Sequence, residues 1–278
     1  MHFSLYSIAL KNYDLKGAIR FASELGFDAI EIRGRKGFHI SPNEYDRKSL
    51  NEIKELLDSW NLRVSGISGY TTLTLANESE RQKAAYEVKE WLELVAYLGG
   101  DFYRVNVPLP KDATREQAFN WAIKSLRKCL KLCEEYGIRL ALENHGDSLV
   151  DSAENTKTLL ETINSAYLGI IYDPGNLFII GERNFKNDIK LLSSYIINVH
   201  VKDVKQINKE EYREVLLGEG EIDWRSIIRE LIKRGYNGYL SVEYEVIYRF
   251  GELLPPTEVG IRHYLAALKR ITNEITYG

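Results

Sequence analysis

The chain has 278 residues, 44% hydrophobic and 28% charged, which is enough apolar material for a large core and argues against disorder. With 37 Lys and Arg against 40 Asp and Glu, the formal net charge is -3, which gives no support for a general binder of phosphate backbones. The only cysteines, Cys129 and Cys133, sit four apart on one helical face and read as buried reduced thiols rather than a disulfide framework.

Taken in chain order, short apolar runs alternate with longer amphipathic segments. Strands are predicted at 2–7, 28–33, 63–68, 101–107, 138–144, 168–173, 196–202 and 238–244. Helices are predicted near 14–25, 47–60, 79–98, 114–136, 152–164, 186–194, 224–235 and 257–274. Asp14, Asp112 and Asp151 are candidate N-caps, able to accept from the free N–H groups of a first turn. Gly26, Gly99 and Gly137 stand where a helix must close in the left-handed conformation. Trp91, Trp121 and Trp224 have apolar neighbours at helical spacing and read as packing residues.

Eight strands, each followed by a helix, predict the α/β class and a parallel sheet closed into a (β/α)8 TIM barrel, a single domain over 1–278. An open doubly wound sheet would call for a Gly-rich turn after the first strand, and SLYSIALKNYD has none. No Pro/Gly/Ser-rich linker divides the chain. No window approaches ~18 consecutive apolar residues and no leader pattern opens the sequence, so the expectation is a cytoplasmic protein that does not engage membranes. The longest irregular pieces, 34–46, 69–78, 203–222 and 245–256, all follow strands, on the face where barrels build their sites. His39, in the first of them, is expected to be exposed.

The residues that carry chemistry lie in the second half. Strand five ends in Leu-Glu-Asn-His-Gly (142–146) and strand six in Tyr-Asp-Pro-Gly-Asn (172–176); strand seven contains Asn-Val-His-Val-Lys-Asp (198–203) and strand eight Ser-Val-Glu-Tyr-Glu (241–245). The C-terminal ends of parallel barrel strands point into one bowl, so Glu143, Asp173, His200 and Glu243 are predicted to converge. Alternation supports this: with Glu143 inward, Ala141 is inward while Leu140 and Leu142 face the helices, and with His200 inward so are Asn198 and Lys202. A lone strand-end carboxylate is usually a cap or a salt-bridge partner. Three carboxylates and an imidazole together would repel without a cation, and they make a mostly oxygen site suited to one divalent ion, Mn2+ or Mg2+ first and Co2+ or Zn2+ next.

GFDAIEIR (26–33), LALENHG (140–146), Asp-Pro-Gly-Asn (173–176), NVHVKD (198–203), LGEGEIDW (217–224) and the strand-eight Ser-Val-Glu together resemble the xylose-isomerase-like barrel superfamily. The likeness runs through nearly the whole chain. It is closest to the sugar phosphate isomerase/epimerase branch, which includes inosose isomerases and dehydratases, ketose 3-epimerases and type IV apurinic endonucleases. The resemblance implies that Glu143, Asp173, His200 and Glu243 bind the metal and that Glu143 and Glu243 are the catalytic acid/base pair. The expected reaction is isomerisation or epimerisation of a small keto-sugar, inosose or related polyol through a metal-stabilised enediolate. An inosose-type dehydratase on the same residues is the nearest alternative, and a non-catalytic barrel is a second class. Ketose 3-epimerases usually carry a His where this chain has Asn176 and an Arg where it has Gln206, which favours an inosose-isomerase-like activity. The endonucleases assemble three metals on extra histidines. With only His2, His39, His145, His200 and His263, this chain is not expected to act on nucleic acid. Members of the branch often pair, so a homodimer is an expectation.

Candidate substrate-binding residues complete the reading. Arg104 shares a face of strand four with Asn106 and suits a carboxylate, phosphate or hydroxyl, or an internal salt bridge. Glu31, on a face with Arg33, occupies the family's usual acidic position and suits a hydrogen-bonding role. His145 and Asn176 follow the strand-five and strand-six carboxylates. Lys202 could neutralise an oxyanion, or bridge to Glu243 or Glu245.

Overall fold

The β-branched and aromatic runs form strands because each can bury one face against helices and the other inside a closed sheet. In the computed structural model, which describes residues 1–246 and 249–277, the elements are β1 (His2–Tyr6), α1 (Leu15–Leu25), β2 (Ala29–Arg33), α2 (Arg47–Ser59), β3 (Arg63–Thr72) and α3 (Glu78–Leu98). There follow β4 (Phe102–Asn106), α4 (Arg115–Tyr136), β5 (Arg139–Glu143), α5 (Ala153–Ile163), β6 (Leu168–Tyr172), α6 (Pro174–Ile179) and α7 (Phe185–Leu192). The last are β7 (Ile196–Val201), β8 (Asp203–Asn208), β9 (Glu211–Val215), α8 (Trp224–Lys233), β10 (Tyr239–Val242) and α9 (Thr257–Tyr277). Strands β1 to β7 and β10 close into a barrel, all neighbours parallel, with β1 joined to β2 on one side and β10 on the other. This is the (β/α)8 architecture expected from the alternation of elements.

The strand faces sort by chemistry. Leu140, Leu142, Val199, Val201 and Val242 belong to the large apolar layer between barrel and helices. Phe102, Ala141, Ile171 and Ile197 form a small separate cluster. Phe102, Ala141 and Ile171 lie two residues before Arg104, Glu143 and Asp173 on the inner face. Ile170 pairs with Ile196 but Ile171 with Asn198, so Ile197 is the extra residue of a bulge. The bulge lets Ile197 plug the barrel while Asn198 and His200 keep the inward phase.

Helix ends follow local chemistry. Asp14 accepts from Gly17 N at 2.7 Å, as expected. Asp112 and Asp151 are not the caps of α4 and α5. Thr114 and Gln117 form a reciprocal capping box, Ser152 accepts from Asn155 N, and the Asp151 carboxylate goes instead to Arg115 and Asn155. Gly26, Gly99 and Gly137 close their helices at φ of 83°, 74° and 68°.

Three segments between the predicted elements are ordered. β3 continues to Thr72. The loop after Asp173 holds α6, started by the Asp173 cap and Pro174 at its first turn. Residues 203–215 form the antiparallel β8–β9 hairpin, whose Lys209-Glu210 turn lacks the Asn-Gly type of signal. Residues 247 and 248 of the expected 245–256 loop lie outside the described residues. His39 is buried, not exposed: Ser7 Oγ donates to its Nδ1 at 3.0 Å and its Nε2 donates to Leu10 O at 3.1 Å. Cys129 and Cys133 are buried and unpaired, and burial pushes the Cys129 thiol up to about 12. Trp91 and Trp224 are buried and Trp121 packs on the core. No helix among the described residues is long and apolar enough to cross a membrane.

A candidate metal centre at the ends of β5, β6, β7 and β10

His200 sits inside β7 with its whole side chain buried, and both ring nitrogens are engaged. Nε2 lies 2.9 Å from Glu31 Oε1 on β2, across the barrel. Glu31 is itself held by Ser68 Oγ at 2.5 Å and Asn198 Nδ2 at 2.8 Å. The Tyr6 ring stacks on the imidazole with centroids 5.2 Å apart and a 16° interplanar angle. Imidazole orientation is thereby fixed: Nε2–H is donated to Glu31, and Nδ1 is the nitrogen turned toward the other carboxylates. Nδ1 stands 2.7 Å from Glu143 Oε1, 3.2 Å from Glu243 Oε2 and 4.0 Å from Asp173 Oδ2.

One ligand atom from each of Glu143, Asp173, His200 and Glu243 lies within 4.8 Å of all the others. Glu143 ends β5, Asp173 caps α6 immediately after β6, and Glu243 follows β10, so four successive barrel strands each deliver one group. Lys202, the residue after β7, places Nζ 2.8 Å from Glu243, 3.0 Å from Asp173 and 3.2 Å from Glu245. Among the described residues Asp173 Oδ2 is buried and accepts no hydrogen bond, although the Lys202 ammonium stands 3.0 Å away and His200 Nδ1 4.0 Å. A buried carboxylate oxygen left without a donor is costly, and a cation would satisfy it. Three hard oxygen donors and one imidazole nitrogen fit a divalent ion.

The charges around the cluster are strongly coupled. Burial raises Asp173 to about 7, against the opposing pull of Lys202. Burial would raise Glu143 too, but Arg104 and His200 overcome it and hold the carboxyl at about 2. Glu243 is likewise driven well below the carboxylate range against its burial, by Lys202 and His200. His200 and Lys202 are held charged against their own burial by the carboxylates around them.

The cluster opens into a cavity of about 370 Å³ whose walls include Glu143, Glu243, Lys202, Arg104, His145 and Asn176. Arg104 pairs with Glu143 and donates twice to Gly69 O, at 3.1 and 3.2 Å, with its guanidinium 5.0 Å from the Tyr70 ring centre. Asn176 donates from Nδ2 to Asn144 O at 2.9 Å. His145 is exposed, and its Nδ1 donates to Gly146 O at 2.8 Å. Glu31 does not line the cavity; its carboxylate is engaged beneath, on His200. Among the cavity-wall residues not singled out from the sequence as candidates are Tyr6, Arg33 and Tyr70. Arg33 had a signal, lying two residues beyond Glu31 on one strand face. Tyr6 and Tyr70 sit among apolar or small neighbours, with no chemical pattern to single them out.

Residues 19–271 match the family model described as xylose isomerase-like TIM barrel, and the chain belongs to that family. An inosose dehydratase of Clostridium perfringens is 24% identical over 243 residues, covering 78% of this chain and 80% of the relative. Among solved structures, the IolI protein with a bound zinc atom superposes with a TM-score of 0.84 at 18% identity over the whole of both chains. An L-ribulose 3-epimerase superposes with a TM-score of 0.81 at 17% identity, over 99% of this chain and 95% of that one. The named relatives are thus sugar-modifying enzymes, and the solved structures share this fold.

Proposed function

We propose that the protein is a divalent-metal-dependent isomerase or epimerase of a small keto-sugar, inosose or related polyol. The observation that carries this is His200: Glu31 fixes Nε2, and Nδ1 faces three carboxylates on neighbouring strand ends. Glu143, Asp173, His200 and Glu243 would hold the ion, with Mn2+ first among the candidates. When bound, it would polarise a carbonyl and the neighbouring hydroxyl and so acidify the C–H between them. The IolI structure, which shares this fold, holds a zinc atom, which supports a metal-dependent reading.

The remaining chemistry belongs to the side chains. Arg104 and His200 keep Glu143 ionised, and Lys202 and His200 do so for Glu243, so either carboxylate can accept a proton. One takes the proton from substrate carbon and, now protonated, returns it to the adjacent carbon; return to the opposite face falls to the other once it has itself taken a proton from water. The Tyr6 hydroxyl, buried at the cavity wall without a partner, is available to a substrate hydroxyl. Inosose dehydratases among the relatives support a second reading on the same residues, in which the carbanion expels a neighbouring hydroxyl. Incubating the Mn2+-loaded protein in D2O with L-ribulose and an inosose tests both. Deuterium on carbon in an isomeric product supports the first reading and a product lighter by one water the second. Unchanged, undeuterated substrate with every keto-sugar and inosose tried would contradict the proposal.

A further inference from the structure

Lys202 and a metal ion make claims on the same atoms. Its Nζ lies 2.8 Å from Glu243 Oε2 and 3.0 Å from Asp173 Oδ2. Those two oxygens are also the ones 3.2 and 4.0 Å from His200 Nδ1, so atoms that would hold the ion face an ammonium. An ion about 2.1 Å from Glu243 Oε2 would lie within about 5 Å of Nζ, and two cations that close repel strongly away from water. A buried ammonium that leaves these oxygens must still keep a carboxylate, because an unpaired buried charge is costly.

The side chain leaves its head little choice. Lys202 is buried, and its stem fills the bare face of Gly175 in α6, where a Cβ would lie 2.6 Å from Lys202 Cγ and 3.0 Å from Cε. The remaining carboxylate in reach is Glu245, with Oε1 3.2 Å from Nζ. Glu245 lines the cavity, but it is not one of the four groups whose ligand atoms converge. Its position is fixed from behind. Glu245 N donates at 2.9 Å to Oε2 of Glu214, a fully buried residue of β9. Glu214 Oε1 lies 3.2 Å from the Tyr264 hydroxyl on α9, which donates to Val215 O at 2.6 Å and accepts from Asp203 N at 3.1 Å. Gly251 packs so closely on the other side that a Cβ there would lie 2.4 Å from Glu245 O. The β8–β9 hairpin and the turn after β10 thereby hold a carboxylate beside the cluster, outside it and within reach of Lys202.

From this we infer that Glu245 is a positioning residue for the metal centre: it receives the Lys202 ammonium when an ion takes Asp173 and Glu243. The inference rests on the metal centre just proposed and adds a second state of Lys202 to it. Through Glu214, the β8–β9 hairpin serves that second state.

Crystals of metal-stripped protein and of protein soaked in Mn2+ read the position of Nζ directly. In the loaded crystals Nζ is expected to stay within about 3.2 Å of Glu245 and to stand beyond about 4 Å, the ion-pair limit, from Asp173 Oδ2 and Glu243 Oε2. By calorimetry, Glu245→Gln, close in shape but uncharged, is expected to bind Mn2+ at least about fivefold more weakly than wild type, a coupling usual for groups in one ion-pair network. Glu245→Asp keeps the charge but is one methylene shorter, and is expected to weaken Mn2+ binding as well. The inference is overturned if Nζ keeps both ligand contacts in loaded crystals, or if either variant binds Mn2+ as wild type does. An unchanged Asp variant would mean that only the charge at this position is felt, not its hold on Lys202. Wild type that takes up no Mn2+ would instead contradict the metal centre itself, and the inference would fall with it.

Discussion

The two halves of the barrel mouth use their strand ends differently. β5, β6, β7 and β10 deliver carboxylates and an imidazole to a single point, with Lys202 among them as counter-charge. β1 to β4 deliver Tyr6, Arg33, Tyr70 and Arg104, aromatic rings and guanidiniums that shape a wall. The first half is an electrostatic knot whose members need one another; the second is a set of packed faces. Glu31 links the halves, because it stands on β2 and serves the histidine on β7.

The largest effect expected from this division is at Lys202. Lys202→Met removes the cation nearest Asp173, Glu243 and Glu245 and should destabilise metal-stripped protein by about 3–5 kcal/mol, the usual cost of breaking a buried charge pair. Added Mn2+ should then raise the melting temperature more in the variant than in wild type. Equal shifts would mean that Lys202 and a metal do not share the same carboxylates.

A smaller effect is expected where the halves meet. Glu31→Gln keeps an acceptor for His200 Nε2–H but loses the charge, so Mn2+ affinity should fall about 10- to 100-fold. Substrate affinity at saturating metal should hardly move, since Glu31 is off the cavity wall. A variant with unchanged metal binding would break the link between the halves.

The smallest concerns the support beneath Arg33, whose N–H donates to Ser7 Oγ, which in turn donates to His39. Burial depresses the His39 pKa below its ordinary 6.5, so the folded chain binds this proton less readily than the unfolded chain. The contribution of neutral His39 is therefore fully present above 6.5 and is lost as pH falls below it. Thermal melts from pH 7.5 to 5 should show a steeper loss in wild type than in His39→Gln, by under about 1 kcal/mol. Parallel pH profiles would contradict this.

The first half was the more legible in the sequence. Glu143, Asp173, His200 and Glu243 are ligand types at strand ends, and parallel barrel geometry alone brings such positions together. The eight strands and their alternation were legible for the same reason, since period-two patterning follows from burial on the outer face. What could not be read depends on contacts distant in sequence. Glu31 reaches His200 across 169 positions. His39 is buried because Ser7 and Leu10, in the 3-10 turn after β1, meet it, and nothing around Phe38 announces that. The rings that Phe38 and Tyr70 lay against Arg33 likewise come from loop and strand positions no local pattern announces. The β8–β9 hairpin escaped because its turn residues, Lys209 and Glu210, are not turn formers, while β8 and β9 pair through backbone groups and not through a hydrophobic pattern.

The metal centre is tested most directly by titrating Mn2+ into metal-stripped wild type and a Glu143→Gln/Glu243→Gln variant, with metal analysis of each. The account predicts about one ion per wild-type chain and binding weakened at least about 100-fold in the variant, because half the ligand set loses its charge. Wild type that binds no Mn2+, Co2+ or Zn2+ at millimolar concentration, or a variant that binds as well as wild type, would contradict it.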